Sequence, residues 1–521
     1  MEIKKFGWII MMCAAIVIGN VVSSCSDDTN GENGGNGGNG NGNGSTDPEV
    51  TYDGTTAYSK GVLFKNGTEL GNGDQHFVFT GDVTLEKGTY LLKGWVYVAD
   101  GAKLKIPAGT IIKGDKQTMA ALIIEPGGYV EMKGTKEAPI VMTSEEAPGQ
   151  RRPGDWGGLI ICGKAKNNQG TQQIEGGPRT IHGGSNDADN SGIFQYIRVE
   201  FAGYPFETDK EINGITFGSV GSGTTIDHLQ VSYSNDDSFE WFGGAVSCKY
   251  LVAYKGWDDE FDTDNGFSGT VQYCLSIRDP RIADTSQSNG FESDNNGTGA
   301  DIAPFTTATF KNVTFIGPMA AKNTDFQNTS EYITAGDMYP DNKSKLGLFQ
   351  SAMQIRRSSN LNCVNSVATG WPIGLIIDGE KGNTVESAKE GKIVLQNIYL
   401  ALGKNSVVGT DANKKYEDVL GTYSDGKITY DETKPSYSST FFKAQKGNTV
   451  FENEDDLKLI DTKNVGQKYA PTSESPLLDK ASFDAVPNAT QLEKVTYIGA
   501  FSAQDNWMDN WTNFDPENTD Y

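Results

Sequence analysis

Two acidic lines carry the side chains best suited to chemistry. Asn235-Asp236-Asp237-Ser238-Phe239-Glu240-Trp241-Phe242-Gly243-Gly244 is followed, 22 residues later, by Trp257-Asp258-Asp259-Glu260-Phe261-Asp262-Thr263-Asp264-Asn265-Gly266. A looser copy runs Gly290-Phe291-Glu292-Ser293-Asp294-Asn295-Asn296. If Phe239, Phe261 and Phe291 point inward, strand alternation turns Glu240, Asp262 and Glu292 outward, and Phe242, Asp264 and Asp294 with them. Neighbouring rungs of a sheet lie about 4.8 Å apart. Glu240, Asp262 and Glu292 then form one column, and Asp264 with Asp294 the next. Carboxylates at that spacing repel, so a proton, a basic side chain or a cation must neutralise them. Calcium suits such a set, because it accepts many oxygen ligands in flexible geometry. Asp258, Asp259 and Glu260 add oxygens at the turn. The expected ligands for Ca2+ are Glu240, Asp258, Asp259, Asp262, Asp264, Glu292 and Asp294. The competing reading is that turn carboxylates cap backbone groups and are otherwise solvated.

A second outward column is expected at Glu200, Ser232, Tyr254 and Arg278, with Arg198, His228 and Gln230 nearby. No residue is assigned a catalytic role. Arg278 could be cast as the base of a calcium-dependent lyase that removes a proton beside a uronate, but its favoured reading is an ion pair with Asp279 or with the acidic column. A hydrolase would need two carboxylates about 5–10 Å apart, and the ladder offers many such pairs. No nucleophile elbow or HExxH occurs, and the three histidines, His76, His182 and His228, are far apart. Trp257, Tyr204, Phe206 and Phe242 fall at turns or outward positions, where they could stack on a sugar or pack on the next rung. The expected ligand-binding set is Trp257, Tyr254, Arg278 and His228.

A solenoid would position these residues. Leu229-Gln230-Val231-Ser232-Tyr233, Leu251-Val252-Ala253-Tyr254 and Leu275-Ser276-Ile277-Arg278 precede the acidic lines with a period of 22 to 24 residues. Short β-rich runs at such a period mark stacked coils. The repeats hold no long amphipathic run, so the expected fold is all-β, a right-handed parallel β-helix with insertions and a C-terminal cap. Gly101 to Gly114 and Leu122 to Thr135 read as earlier rungs, with Pro139 to Ser144 continuing the coil. Lys311 to Ile316, Ile373 to Gly379 and Ile393 to Leu400 read as later ones. The expected organisation is a signal peptide at 1–24, a lipidated cysteine and tether at 25–50, an N-terminal cap at 51–90, the β-helix at 91–405 and an irregular C-terminal region and cap at 406–521. Trp507 and Trp511 are expected to cover the end of the coil.

Charge narrows the partners. A net charge of -24 over 521 residues argues against nucleic acid, whose phosphates need a basic surface. It favours cations, cationic ligands or solubility alone. Among six cysteines, Cys248 and Cys274 sit near the ends of consecutive rungs and could bond, or could pack as small apolar groups like Cys162 and Cys363.

The N-terminus reads as an address. Lys4 and Lys5 precede an apolar run from Trp8 to Val22 that is short for a membrane span. Val22-Ser23-Ser24-Cys25 resembles the lipobox of bacterial lipoproteins, which implies that Cys25 is diacylated. Ser26-Asp27-Asp28 resembles the signal that sends Bacteroidetes lipoproteins to the outer face of the outer membrane. The Gly/Asn-rich stretch 29–48 buries nothing apolar. As a random coil it spans about 25 Å.

Gly101-Ala102 through Gly109-Thr110, Gly154-Asp155-Trp156-Gly157-Gly158, Asp189-Asn190-Ser191-Gly192, Tyr196 to Gly203 and the Asp-Asp-x-Phe-Glu-Trp-Phe-Gly-Gly line stand along the body. On these motifs the body resembles a family of β-helical surface lipoproteins of Bacteroidetes and related Gram-negative bacteria. The tail Tyr497-Ile498-Gly499-Ala500-Phe501, with Trp507 and Trp511, is similar to the family's ending. The resemblance covers residues 80–280 and 495–515. It implies the fold and the cell surface, and it transfers no catalytic residue. Anchor and tether point to a ligand-binding or accessory subunit beside a TonB-dependent nutrient transporter, with a glycan or other nutrient as ligand. The alternatives are a calcium-dependent polysaccharide lyase or glycoside hydrolase on the same fold, and an adhesin or matrix protein.

Overall fold

The computed structural model describes residues 50–521 except 53–55, 175–178, 208–209, 321–324, 402–435, 461–464, 485–492 and 504–506. The signal peptide, Cys25 and most of the tether lie outside the described residues. No described helix is long and apolar enough to cross a membrane.

Rungs stack in parallel on two long sheets, so the fold is the expected all-β parallel β-helix. The first sheet, sheet I, runs through Ala121–Ile124, Gly158–Cys162, Ile215–Val220, Phe239–Gly244, Phe261–Asp264, Phe291–Ser293 and Met353–Ile355, ending at Ile376–Ile377. Sheet II includes Gly192–Glu200, Thr225–Ser232, Cys248–Tyr254, Thr270–Ile277, Thr309–Ile316, Asn362–Thr369 and Leu395–Ala401. Each strand needs its neighbour, because one rung alone cannot bury its apolar face. Phe239 pairs with Phe261, and Phe261 with Phe291, all fully buried in the tube. The Phe239 and Phe261 rings stack 5.7 Å apart. Burying such a ring stabilises the fold by roughly 1.5–3 kcal/mol.

Sheet II bends at one position per rung. Tyr196, His228, Tyr250, Tyr273, Asn312, Asn365 and Asn397 all adopt φ between 50° and 59° there. Asparagine tolerates this left-handed conformation. The aromatic members offset its cost by stacking, with centroids 4.3 Å apart for Tyr196–His228, 4.3 Å for His228–Tyr250 and 4.9 Å for Tyr250–Tyr273.

Several expectations are corrected. Ala57–Ser59 already pairs in parallel with Phe77–Phe79, so rungs begin inside the stretch expected to be a cap at 51–90. Strands that short carry too little alternation to be read. On sheet II, Leu251 pairs with Cys274 and Tyr254 with Ile277, so the repeat aligned on Leu275 is off by one. A one-residue slip exchanges the two faces of a strand, and Leu275 accordingly packs outside the tube against the C-terminal tail. Glu200, Ser232 and Tyr254 do share a register, but Arg278 lies one residue past it. Trp507 and Trp511 do not cover the end of the coil. They lie along the flank of sheet II, edge-on to His228 at 6.2 and 5.5 Å. The tail is tied there by paired hydrogen bonds between Gln230 and Asn513, and by the Tyr521 hydroxyl donating to Glu200 at 2.6 Å. Helix Tyr437–Ala444 packs beside the last strand of sheet I instead, adding Phe441 and Phe442 to the core. The four cysteines of the body are free and buried, so Cys248 and Cys274 are not bonded.

One buried charge opposes the fold. Lys311 is fully buried on sheet II between Gln272 and Val364, and its Nζ has no hydrogen-bond partner among the described residues. Burial pulls its pKa down to about 7. A depressed lysine pKa means stability is lost as pH falls from the usual lysine range towards 7. Lys311→Met should therefore raise stability near pH 7, on the order of 1–3 kcal/mol. Thermal unfolding at pH 7 and pH 10 checks this, since the gain should shrink at the higher pH.

Candidate functional site

The acidic lines close on one pocket of about 250 Å³ on the outer face of sheet I. All seven carboxylates expected as ligands line it: Glu240, Asp258, Asp259, Asp262, Asp264, Glu292 and Asp294. Strand register accounts for the column, with Glu240 opposite Asp262 and Asp262 opposite Glu292. Asp264 lies opposite Phe242, and the Asp294 N–H donates to Thr263 O at 2.9 Å. The preceding turns bring in Asp237 and Asp259. Asp237 Oδ1 accepts the Asp259 N–H at 2.9 Å, and Asp259 Oδ1 accepts the Asn289 N–H. Capping of rung by rung thus operates here as well, and it holds these two carboxylates rigidly.

Two triads come closest. Carboxylate oxygens of Asp236, Asp237 and Asp258 lie within 4.8 Å of one another, as do those of Asp237, Glu240 and Asp262, so Asp237 belongs to both. Asp258 Oδ1 and Asp262 Oδ1 are buried without a hydrogen-bond partner among the described residues. Buried oxygens of that kind ask for a proton or a cation. Positive charge enters from the rung after the third acidic line. Arg356 Nε lies 2.9 Å from Asp294 Oδ1, and Arg356 Nη2 contacts Glu292. Arg357 Nη1 lies 2.7 Å from Asp294 Oδ2. The lining holds nine carboxylates against these two guanidinium groups.

The electrostatic consequence is large. Burial and neighbouring carboxylates push Asp237, Asp259 and Asp262 well above the usual carboxylate range. Burial with Asp284 nearby raises Asp258 to about 7, and burial with Asp294 nearby raises Asp264 to about 7. Burial raises Glu292 to about 8 even though Arg356 opposes it. Burial works against the charge on Arg356, but Glu292 and Asp294 outweigh it and hold the guanidinium well above its usual value.

Arg278 does not line the pocket. Its side chain is fully buried beside Glu260, with Nη1 3.1 Å from Glu260 Oε1. Its Nη2 donates to Trp257 O at 3.1 Å and Ile282 O at 3.2 Å, and its Nη1 donates to Asp258 O. Arg278 thus clamps the turn that presents Asp258 and Asp259, while Asp279 pairs with Lys255 at 3.3 Å. Glu260 turns away from the acidic face, where Ser238 Oγ donates to it at 2.6 Å.

The ligand-binding set of Trp257, Tyr254, Arg278 and His228 is not assembled at a free surface. Trp257 is fully buried and donates to Lys345 O at 3.2 Å. Tyr254 lies under the tail, its hydroxyl donating to Phe514 O at 3.1 Å. His228 is held between Tyr196 and Tyr250. Turn aromatics pack here on an insertion and a tail whose positions the rung period does not encode. Phe242 alone among the turn and outward aromatics read from the acidic lines reaches the pocket wall.

Asp236, Asp237, Arg356 and Arg357 were missed as site residues. The two aspartates stand in the first acidic line and occupy the turn position of Asp258 and Asp259, a parallel that identifies them. The two arginines follow Met353–Ile355, whose Gln354 continues the column beyond Glu292. The alternation Met-Gln-Ile before Arg-Arg was the available signal, hidden by the long excursion after Ser293.

Residues 77–450 match a family model described as a pectate-lyase-like beta helix domain. No curated protein matches the chain.

Proposed function

The chain belongs to the pectate-lyase-like β-helix family, and from that premise we propose that it is a surface-displayed β-helix whose acidic pocket, loaded with Ca2+, binds an anionic glycan without cleaving it. The observation that carries this reading is the collection of nine carboxylates and two guanidinium groups in one pocket. Ca2+ fits the donor set, which is oxygen only, with Asp237 placed to serve two neighbouring triads. Either triad, Asp236 with Asp237 and Asp258 or Asp237 with Glu240 and Asp262, would hold an ion. A cation bound there supplies positive charge at the surface, to which the carboxylate or sulfate of a sugar can add as a further ligand.

A lyase with an arginine base is disfavoured by the state of the arginines. A general base works best with a pKa near the operating pH. Arg356 is held far above that range by Glu292 and Asp294, and Arg278 is buried beneath the turn. Display at the surface is supported by the lipobox-like Val22-Ser23-Ser24-Cys25, the following Ser26-Asp27-Asp28 and the Gly/Asn-rich stretch 29–48. On this reading Cys25 carries the lipid, the body stands on the outer face of a Bacteroidetes-type outer membrane, and it serves as a ligand-capturing or accessory subunit beside a TonB-dependent transporter.

Isolation of the lipidated protein from native outer membranes tests the proposal. A TonB-dependent transporter should be recovered with it in near-stoichiometric amount, and polyuronate should bind in the presence of calcium with no unsaturated product released. Recovery of the protein alone would remove the accessory role. Calcium-dependent release of unsaturated oligosaccharides would replace binding with a lyase activity.

A further inference from the structure

A second cavity lies along the same edge of the solenoid. It encloses about 360 Å³ and is walled by Lys116, Gln117, Asp155, Tyr204, Asp341 and Asn342, among others. Its position follows from the rung order. Lys116 and Gln117 occupy the turn before Ala121–Ile124, Asp155 the turn before Gly158–Cys162, and Tyr204 the turn before Ile215–Val220. Asp236 and Asp237 occupy the turn before Phe239–Gly244. These four strands are consecutive neighbours in sheet I. The Asp155 and Asp237 turns are therefore two rungs apart, about 10 Å at the usual strand spacing. Asn235 joins the two cavities. Its Oδ1 accepts from Asn342 Nδ2 at 3.2 Å, and its chain neighbour Asp236 lines the acidic pocket.

The two cavities differ in chemistry. Lys116 is the basic residue of the second cavity's wall, and its Nζ lies 2.8 Å from Asp155 Oδ1. Asp155 is itself held by the Ser144 hydroxyl at 2.6 Å and the Arg152 N–H at 2.9 Å. That ammonium is committed, so the wall presents paired donors and acceptors rather than spare positive charge. Amides from Gln117 and Asn342 add both kinds of group. Tyr204 is half-buried and is braced edge-on by Phe206 at 5.4 Å, which in turn packs on Trp95 at 4.6 Å. A braced aromatic face beside amides and a lysine–aspartate pair suits the ring and hydroxyls of an uncharged sugar. It does not suit a carboxylate, which would meet Asp155 and Asp341.

Resting on the reading that the acidic pocket holds an anionic glycan through a cation, we infer that the ligand is a mixed glycan. Its charged sugar sits at the acidic pocket, and a neutral sugar sits in the second cavity against Tyr204, whose turn is the next one along the edge. The chain of sugars runs along the turn edge, parallel to the solenoid axis.

Calorimetric titration at saturating calcium tests this with two oligosaccharides of equal length, one alternating uronate with neutral hexose and one of uronate alone. The mixed oligosaccharide should bind about tenfold more tightly, the worth of one good aromatic contact. Tyr204→Ala should abolish that preference while leaving calcium affinity and oligouronate affinity unchanged, and Tyr204→Phe should restore it. Equal affinity for the two probes, or a preference that survives Tyr204→Ala, overturns the mixed-glycan inference and leaves the acidic pocket standing. Calcium binding with neither probe bound removes the glycan reading and this inference with it.

Discussion

Arg278→Met should lower the free energy of unfolding by about 3–5 kcal/mol, one of the largest effects open to a single side chain here. The substitution leaves Glu260 ionisable and buried without its partner, and it strips donors from the carbonyls of Trp257, Asp258 and Ile282. Exchanging both members, as in Arg278→Met with Glu260→Leu, should recover part of the loss, because an apolar pair removes the stranded charge. Recovery should be incomplete, since the Asp258 and Ile282 carbonyls lose their donor while Trp257 O keeps the Ser288 hydroxyl at 2.9 Å. Denaturant unfolding of the single and double variants measures both effects. An unfolding midpoint unchanged in Arg278→Met would show that the clamp contributes nothing. The same result bears on catalysis, because a residue so deeply engaged in the fold is not available to a substrate.

The second large effect concerns protons and calcium together. Asp258, Asp264 and Glu292 have folded-state pKa values of about 7, 7 and 8, above the ordinary carboxylate values they regain on unfolding. A carboxylate with a raised folded pKa favours the folded state at low pH, and that advantage is lost as pH rises through the raised value. The metal-free protein should therefore lose stability between about pH 4 and pH 8, by several kcal/mol over the set. A cation bound only by the folded state should offset the loss, by about 2.7 kcal/mol at one hundred times its dissociation constant. Thermal unfolding with chelator and with excess calcium should give melting temperatures that diverge as pH rises from 5 to 8. Two profiles that stay parallel across that window would mean that the carboxylates are neutralised without metal.

Much of this molecule is legible in its residues because parallel coils repeat their chemistry. Phe239, Phe261 and Phe291 mark the inward ladder, and their alternating neighbours place Glu240, Asp262 and Glu292 in register, as the strand pairing confirms. That is local information, and a period of 22 carries it faithfully. The repeat stops being informative where its period changes or is interrupted. The interval from Leu251 to its partner Cys274 is one residue longer than that from Leu229 to Leu251, which moved Leu275 outside and took Arg278 out of the expected column. Arg356 and Arg357 enter the pocket only after a long excursion that separates Ser293 from Met353. Trp257, Tyr254 and His228 looked free because the segments that cover them, the insertion at Lys345 and the tail from Trp507 to Phe514, contact them over long sequence separations. Such contacts depend on where a chain docks, and no repeat encodes that.

The cation site is the centre of the functional reading, and calorimetric titration of calcium into the metal-free protein and its Asp237→Asn variant at pH 7.5 tests it most directly. Asp237 is the carboxylate shared by both triads, and the amide keeps its shape while removing its charge. Losing one of several crowded carboxylates should make the metal-free variant at least as stable as the parent, so weaker binding could not be ascribed to unfolding. The expected result is saturable calcium binding to the parent protein, and affinity reduced at least about tenfold in the variant, the loss of one charged ligand. No binding to the parent, or equal binding to both proteins, would contradict a cation held by this pocket.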